Sequence, residues 1–164
     1  MMDDLAPSGS DKRPAVMPGT TGPLVGQNAP DFTLPDTLGT SVTLSSVITT
    51  TGVQGAVLYF TMWCPICDAH MSNMRNTVLP AYPNVPFFLV DYVSGSVAGA
   101  QNAELSNGYA GSGFTVLADT QQTVLGLYQA TMGTTVVIDR TGVIRMNEDY
   151  KDGTRLKAAL AALP

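Results

Sequence analysis

Two cysteines, three positions apart, are the whole of the chain's thiol content. A disulfide-stapled scaffold is thereby excluded, because such scaffolds need several spaced pairs. Charge is scarce as well: 13% of residues are Asp, Glu, Lys or Arg, against about 25% in ordinary soluble domains. Only 8 are basic against 13 acidic, which leaves a net charge of −5. With so few basic residues to neutralise phosphates, the composition argues against nucleic acids and anionic membrane surfaces as partners. Long apolar runs are missing too, since none approaches the roughly 20 residues that span a bilayer. The opening residues do not read as a signal peptide. What the 164 residues do have is a 45% apolar content. A chain of that length buries about 70% of its unfolded surface and folds as one domain without a staple.

Residues 1–27 read as a flexible tail or linker. Pro7, Pro14, Pro18 and Pro23 are interspersed with Gly9, Gly19, Gly22 and Gly26, and no apolar period appears. Such a stretch buries too little surface to offset its ordering entropy. The folded domain is expected over residues 28–164. Asp31 to Leu34 and Ser41 to Leu44 alternate polar and apolar around the turn residues Asp36 to Gly39, a hairpin signal. Ala56 to Met62 and Val85 to Val90 are near-continuous apolar runs, as in strands covered on both faces. Pro86 belongs at the start of its strand, because it donates no ladder hydrogen bond. Between these runs, Cys67, Met71, Met74 and Val78 form one apolar stripe and predict a helix over 64–79. Helices over 97–108 and 121–128, a strand over 114–118, a hairpin turning at Asp139 to Gly142 and a closing helix through Leu156, Ala159, Leu160 and Leu163 complete the order. Early alternation of strand and helix implies parallel crossovers, and the late hairpin adds antiparallel strands. The expected fold class is α/β, a mixed central sheet flanked by helices with an N-terminal β-hairpin.

Chemistry concentrates in Trp63-Cys64-Pro65-Ile66-Cys67, placed after a buried strand and opening a helix. A helix N-terminus carries free N–H groups and partial positive charge, so a thiolate at Cys64 is expected there. Cys67 lies one turn in, on the buried stripe. An exposed thiolate attacks a substrate disulfide, and the shielded partner resolves the mixed disulfide. Pro65 suits the first helical turn, where its missing N–H costs nothing. A zinc half-site lacks a second pair, and an inert disulfide would close only a very short loop.

Three segments resemble one family. Gly26-Gln27-Asn28-Ala29-Pro30-Asp31-Phe32-Thr33-Leu34 resembles G-x-x-A-P-D-F-x-L, Trp63 to Cys67 resembles W-C-x-x-C, and Thr134 to Gly142 resembles T-T-[FV]-x-I-D-x-x-G. The chain is similar to the thioredoxin superfamily, in the TlpA/ResA-like branch that overlaps the AhpC/TSA (redoxin) family. The resemblance implies a thioredoxin-like fold and a thiol–disulfide oxidoreductase acting on protein disulfides or dithiols with a redox partner protein. It implies a monomer that needs no cofactor and no metal, working outside the cytoplasm, periplasmic or anchored to a membrane and facing outward. Implied catalytic residues are Cys64, Cys67 and His70. Trp63, Pro65, Met132 and Gly133 are implied to meet the substrate.

Departures from the family pattern sharpen these expectations. Gly133, after Met132, stands where the family carries a cis-proline. A trans Met132–Gly133 bond and a more mobile loop are expected, so that Gly133→Pro would raise disulfide-reductase activity. Leu58 stands where thioredoxins bury an aspartate, and His70 where TlpA-like proteins commonly carry an acid. His70, the only histidine, can lean back toward the cysteines and, as a cation, would favour thiolate. The alternative is an ordinary, partly exposed helix histidine. Two other functions compete with disulfide exchange. A copper-binding protein would use Cys64 and Cys67 with His70 or Met132, since soft sulfur suits Cu(I), although Met62, Met71 and Met74 read equally as core filling. A thiol peroxidase would use Thr61-Met62-Trp63-Cys64 as T-x-x-C, but Val57 replaces the expected proline and no arginine precedes the Thr134 strand.

Overall fold

The computed structural model describes residues 19–164. Strands β1 (Thr33–Pro35) and β2 (Ser41–Thr43) pair antiparallel as the hairpin signal predicts. A short helix, α1 (Leu44–Ile48), follows at once. It was not legible in the sequence, where Leu44 continues the strand alternation. Asp31 decides the ending: its carboxylate accepts the backbone N–H and the hydroxyl of Ser45, at 2.9 and 2.7 Å. The chain then runs β3 (Gly55–Thr61), α2 (Pro65–Asn73), β4 (Phe87–Asp91), α3 (Val97–Ser106), β5 (Phe114–Ala118), α4 (Thr123–Leu127), β6 (Thr134–Asp139), β7 (Ile144–Asp149) and α5 (Thr154–Ala161).

The five long strands lie in the order β5-β4-β3-β6-β7. β3 pairs parallel with β4 and antiparallel with β6, so the expected mixed sheet is present. Every residue of β3 is buried, which is why its sequence reads as an unbroken apolar run. The period of two survives in the face each side chain serves. Val57 and Tyr59 enter one core layer with Cys67 and Met71 of α2 and Leu156 and Leu160 of α5. Ala56, Leu58 and Phe60 enter the opposite layer, against Phe32 and Leu34 of the hairpin and Leu44 of α1.

The helix predicted over 64–79 is α-helical only to Asn73. A π-helical turn (Met74–Val78) and a 3₁₀ turn (Leu79–Ala81) carry the chain onward. Cys67, Met71, Met74 and Val78 are nonetheless all fully buried, as the stripe requires. Thr77 contributes to the change of pitch by donating its hydroxyl to the Asn73 carbonyl at 2.7 Å. Pro80 then disfavours any further α-helix before it.

Of the expected tail, residues 1–18 lie outside the described residues. Residues 20–28 are tied to the domain. Gly26 N–H donates to the Ile144 carbonyl at 2.9 Å and Asn28 N–H to that of Thr20 at 2.7 Å. The Asn147 amide donates to the Pro23 carbonyl at 2.7 Å.

Candidate active site

β3 delivers the chain to the site, and Trp63 turns it. Its φ of +62° puts a bulky residue in the left-handed region, a conformation that costs about 1–2 kcal/mol for a residue with a Cβ. Two hydrogen bonds hold it there. Trp63 N–H donates to Thr61 Oγ1 at 3.0 Å, and the indole Nε1–H donates to Asp91 Oδ2 at 2.9 Å. Asp91, at the carboxyl end of β4, also accepts the N–H groups of Val93 and Ser94, each at 2.9 Å. The carboxylate is thus fixed to the scaffold, and the indole is fixed to the carboxylate. Backbone strain of this kind clusters at functional sites.

Cys64 is the N-cap of α2, and Pro65 occupies the first helical turn as expected. Cys64 is half-buried and Cys67 fully buried, both as free thiols. Their sulfurs stand 2.9 Å apart, and Cys67 N–H donates to Cys64 Sγ at 3.3 Å. Burial pushes the Cys64 thiol up, and the neighbouring Cys67 side chain adds to the rise. The N–H groups of Cys67 and Ile66 pull it back, as the helix terminus should, but do not outweigh burial. The expected thiolate at neutral pH is therefore corrected: in the dithiol state Cys64 titrates above an ordinary cysteine.

His70 differs from both readings of it. It is neither partly exposed nor a cation, being only 8% accessible. Its Nδ1 lies 2.8 Å from the Tyr59 hydroxyl, and its ring lies against Tyr150 with centroids 4.8 Å apart. Burial lowers its pKa from 6.5 to about 4, so the ring is neutral at pH 7. The expectation that a His70 cation favours thiolate is corrected accordingly. Linkage fixes the sign of the stability effect. Between pH 6.5 and 4 the unfolded chain binds a proton at His70 that the folded chain does not, so stability falls as pH falls. That shift corresponds to a loss of about 3 kcal/mol between pH 7 and pH 4. Denaturant midpoints measured at both pH values, in the protein and in His70→Asn, check this. The variant should lose clearly less, and equal losses would place the proton elsewhere.

Met132 is buried in the core layer that holds Cys67, and Gly133 lies against His70. The Met132–Gly133 peptide is trans, as expected, in line with all described peptides. The mobile loop is corrected. Gly133 N–H donates to the Phe60 carbonyl at 3.0 Å, and its own carbonyl accepts Tyr150 N–H at 2.8 Å. With φ at +88°, the backbone cannot accept proline, whose ring holds φ near −65°. The expectation that Gly133→Pro raises activity fails with it. Among the described residues no cluster of three or more His, Cys, Asp or Glu side chains is placed to hold a metal ion. Of the donors named for copper besides the two sulfurs, His70 turns Nδ1 to Tyr59 and Met132 is buried in the core layer that holds Cys67.

Sequence reasoning missed Tyr59, Asp91 and Tyr150. The signal for Tyr59 was its position in an apolar strand, since a buried phenol needs a polar partner. Asp91 could have been noticed as an acid ending a buried strand. Nothing in sequence joins Tyr150 to a histidine 80 positions earlier.

A mixed sheet, a strand leading into a Cys-x-x-Cys helix N-cap and a buried second sulfur define a thioredoxin-like protein. The AhpC/TSA family model matches residues 25–147, and the chain belongs to the AhpC/TSA family. No curated protein sequence matches it. Among solved structures, it is similar to a Chlorobium tepidum protein assigned as a thiol:disulfide interchange protein DsbE. That match has a TM-score of 0.69 and 25% identity over 84% of this chain and 96% of that one. A secreted Mycobacterium tuberculosis disulfide oxidoreductase homologous to E. coli DsbE matches with a TM-score of 0.62 and 24% identity, over 80% and 96%. The peroxidoxin BcpB of Mycobacterium tuberculosis shares the fold, with a TM-score of 0.65 and 22% identity over 84% and 94%. Membership of the AhpC/TSA family and the likeness to the Chlorobium tepidum protein support a general thiol redox function.

Proposed function

We propose that the protein is a thiol–disulfide oxidoreductase that exchanges disulfides with protein substrates through Cys64 and Cys67. The observation that carries this reading is the unequal pair: one half-buried sulfur at a helix N-cap, 2.9 Å from a sulfur with no solvent access. Cys64 Sγ, once deprotonated, attacks a substrate disulfide, and one substrate sulfur leaves with the bonding pair and takes a proton. Cys67 Sγ then attacks Cys64 Sγ, and the second substrate sulfur leaves in the same way. The substrate gains two electrons, and the protein ends as the Cys64–Cys67 disulfide. A dithiol protein partner returns it to the reduced state. Run backwards, the cycle oxidises substrates. Trp63 and Pro65, the chain neighbours of Cys64, are assigned to substrate contact, whereas Met132 and Gly133 are buried and present no side-chain surface to a substrate. We place the reaction outside the cytoplasm, a reading supported by the secreted neighbour.

The test is reduction of a disulfide-bonded protein by the reduced chain, followed with the equilibrium potential of the pair against glutathione. Stoichiometric reduction with formation of an intramolecular Cys64–Cys67 disulfide is expected. Consumption of peroxide or tight retention of Cu(I), with no disulfide exchange, would overturn the reading.

A further inference from the structure

We propose that Tyr59 is a catalytic residue of the resolving step, its hydroxyl donating to the Cys67 sulfur as that sulfur becomes thiolate, with His70 as the positioning residue that aims it. The inference rests on the disulfide-exchange reading above. Tyr59 is fully buried and lies in the core layer that holds Cys67, whereas Leu58 beside it lies in the opposite layer. Its hydroxyl lies 2.8 Å from His70 Nδ1, one helical turn beyond Cys67, and faces the Cys67 side chain within the same core layer. The ring is held edge-on between His70 and Tyr150, with centroid separations of 5.9 and 6.2 Å. This phenol is pinned on two sides and has one proton to give.

The direction of giving follows from the histidine. Burial keeps His70 neutral, so one ring nitrogen carries a proton and the other does not. With the proton on Nδ1, the ring donates to the Tyr59 oxygen and leaves the phenolic proton free for sulfur. The groups facing Tyr59 are Cys64, Cys67 and His70 from α2, Tyr92 after β4 and Tyr150 after β7. No Asp, Glu, Lys or Arg is among them. A thiolate forming at a sulfur without solvent contact would otherwise lose its hydration unreplaced. A neutral donor pair supplies the replacement and adds no buried charge.

The step balances without a further reactant. Cys67 loses its proton to solvent, and its sulfur attacks Cys64 Sγ. The bond from Cys64 to the substrate sulfur breaks, and the departing sulfur takes the electron pair and then a proton from water. Tyr59 keeps its own proton throughout and offers it only as a hydrogen bond.

The test follows resolution directly in the full-length chain. The reduced protein is reacted with 5,5′-dithiobis(2-nitrobenzoate), which leaves thionitrobenzoate on Cys64. Release of that second thionitrobenzoate reports attack by Cys67, and its rate is recorded across pH. Tyr59→Phe, which keeps the ring, should slow release about tenfold and move its pH midpoint upward, the scale of one hydrogen bond to a charged group. His70→Leu should shift the midpoint in the same direction. His70→Asn, which keeps an N–H near the Nδ1 position, should restore most of the rate. Loosened packing alone would change the rate without moving the midpoint. An unchanged midpoint in Tyr59→Phe overturns the proposal. If the unsubstituted protein never releases the second thionitrobenzoate, the disulfide-exchange reading itself falls.

Discussion

Cys64→Ser should abolish disulfide exchange, while Cys67→Ser should complete the first attack and then stall as a mixed disulfide. The asymmetry comes from access. Cys64 caps α2 and is half-buried, whereas Cys67 lies one turn in with no exposed surface. A substrate disulfide can reach only the first sulfur, so its loss should cost a factor on the order of 10³ or more, as deletions of a nucleophile do. In Cys67→Ser the Cys64 attack proceeds, but no sulfur remains to break the bond it makes. Trapped adducts should appear on non-reducing gels for Cys67→Ser alone. Alkylation should mark Cys64 first, at a rate that climbs with pH beyond the range of an ordinary cysteine, because burial raises that thiol. Adducts trapped equally by Cys64→Ser, or preferential labelling of Cys67, would reverse the two roles.

Gly133→Pro should destabilise the fold. The residue sits at φ +88° and donates its N–H to the Phe60 carbonyl at 3.0 Å. Proline can neither reach that φ nor make that bond, and the Phe60 carbonyl would be left without its partner beside the catalytic turn. The expected loss is about 3 kcal/mol or more, read as a lower denaturant midpoint at unchanged slope. Gly133→Ala separates the causes. A Cβ there would come no closer than 3.7 Å to His70 Cε1, so space suffices. Only the backbone strain remains, about 1–2 kcal/mol. The order of stability should be Gly, then Ala, then Pro. A proline variant as stable as the original chain would show that this backbone relaxes freely.

The sequence by itself determined most of the elements and singled out the cysteine pair. Unbroken apolar runs could be satisfied only by strands covered on both faces, and β3 and β4 formed there. The spacing of Cys67, Met71, Met74 and Val78 names their buried face, even though the backbone leaves the α-helix at Met74. Two cysteines bracketing Pro65 and Ile66 after such a strand could hardly be placed except at a helix N-cap. These features are local: each depends on residues within a turn or two of one another. The tertiary structure decided everything that depends on what lies across from the site. His70 became a buried neutral imidazole because β3 set Tyr59 against it and the end of β7 set Tyr150 against it. Cys64 lost its expected thiolate because desolvation, a property of the surrounding packing, exceeded the pull of its own helix N–H groups. Gly133 turned from a loosened loop into a fixed one because Phe60 and Tyr150 bond its backbone from two sides. Titration and strain follow from the neighbours a fold brings together, and those neighbours lie on other elements of the chain.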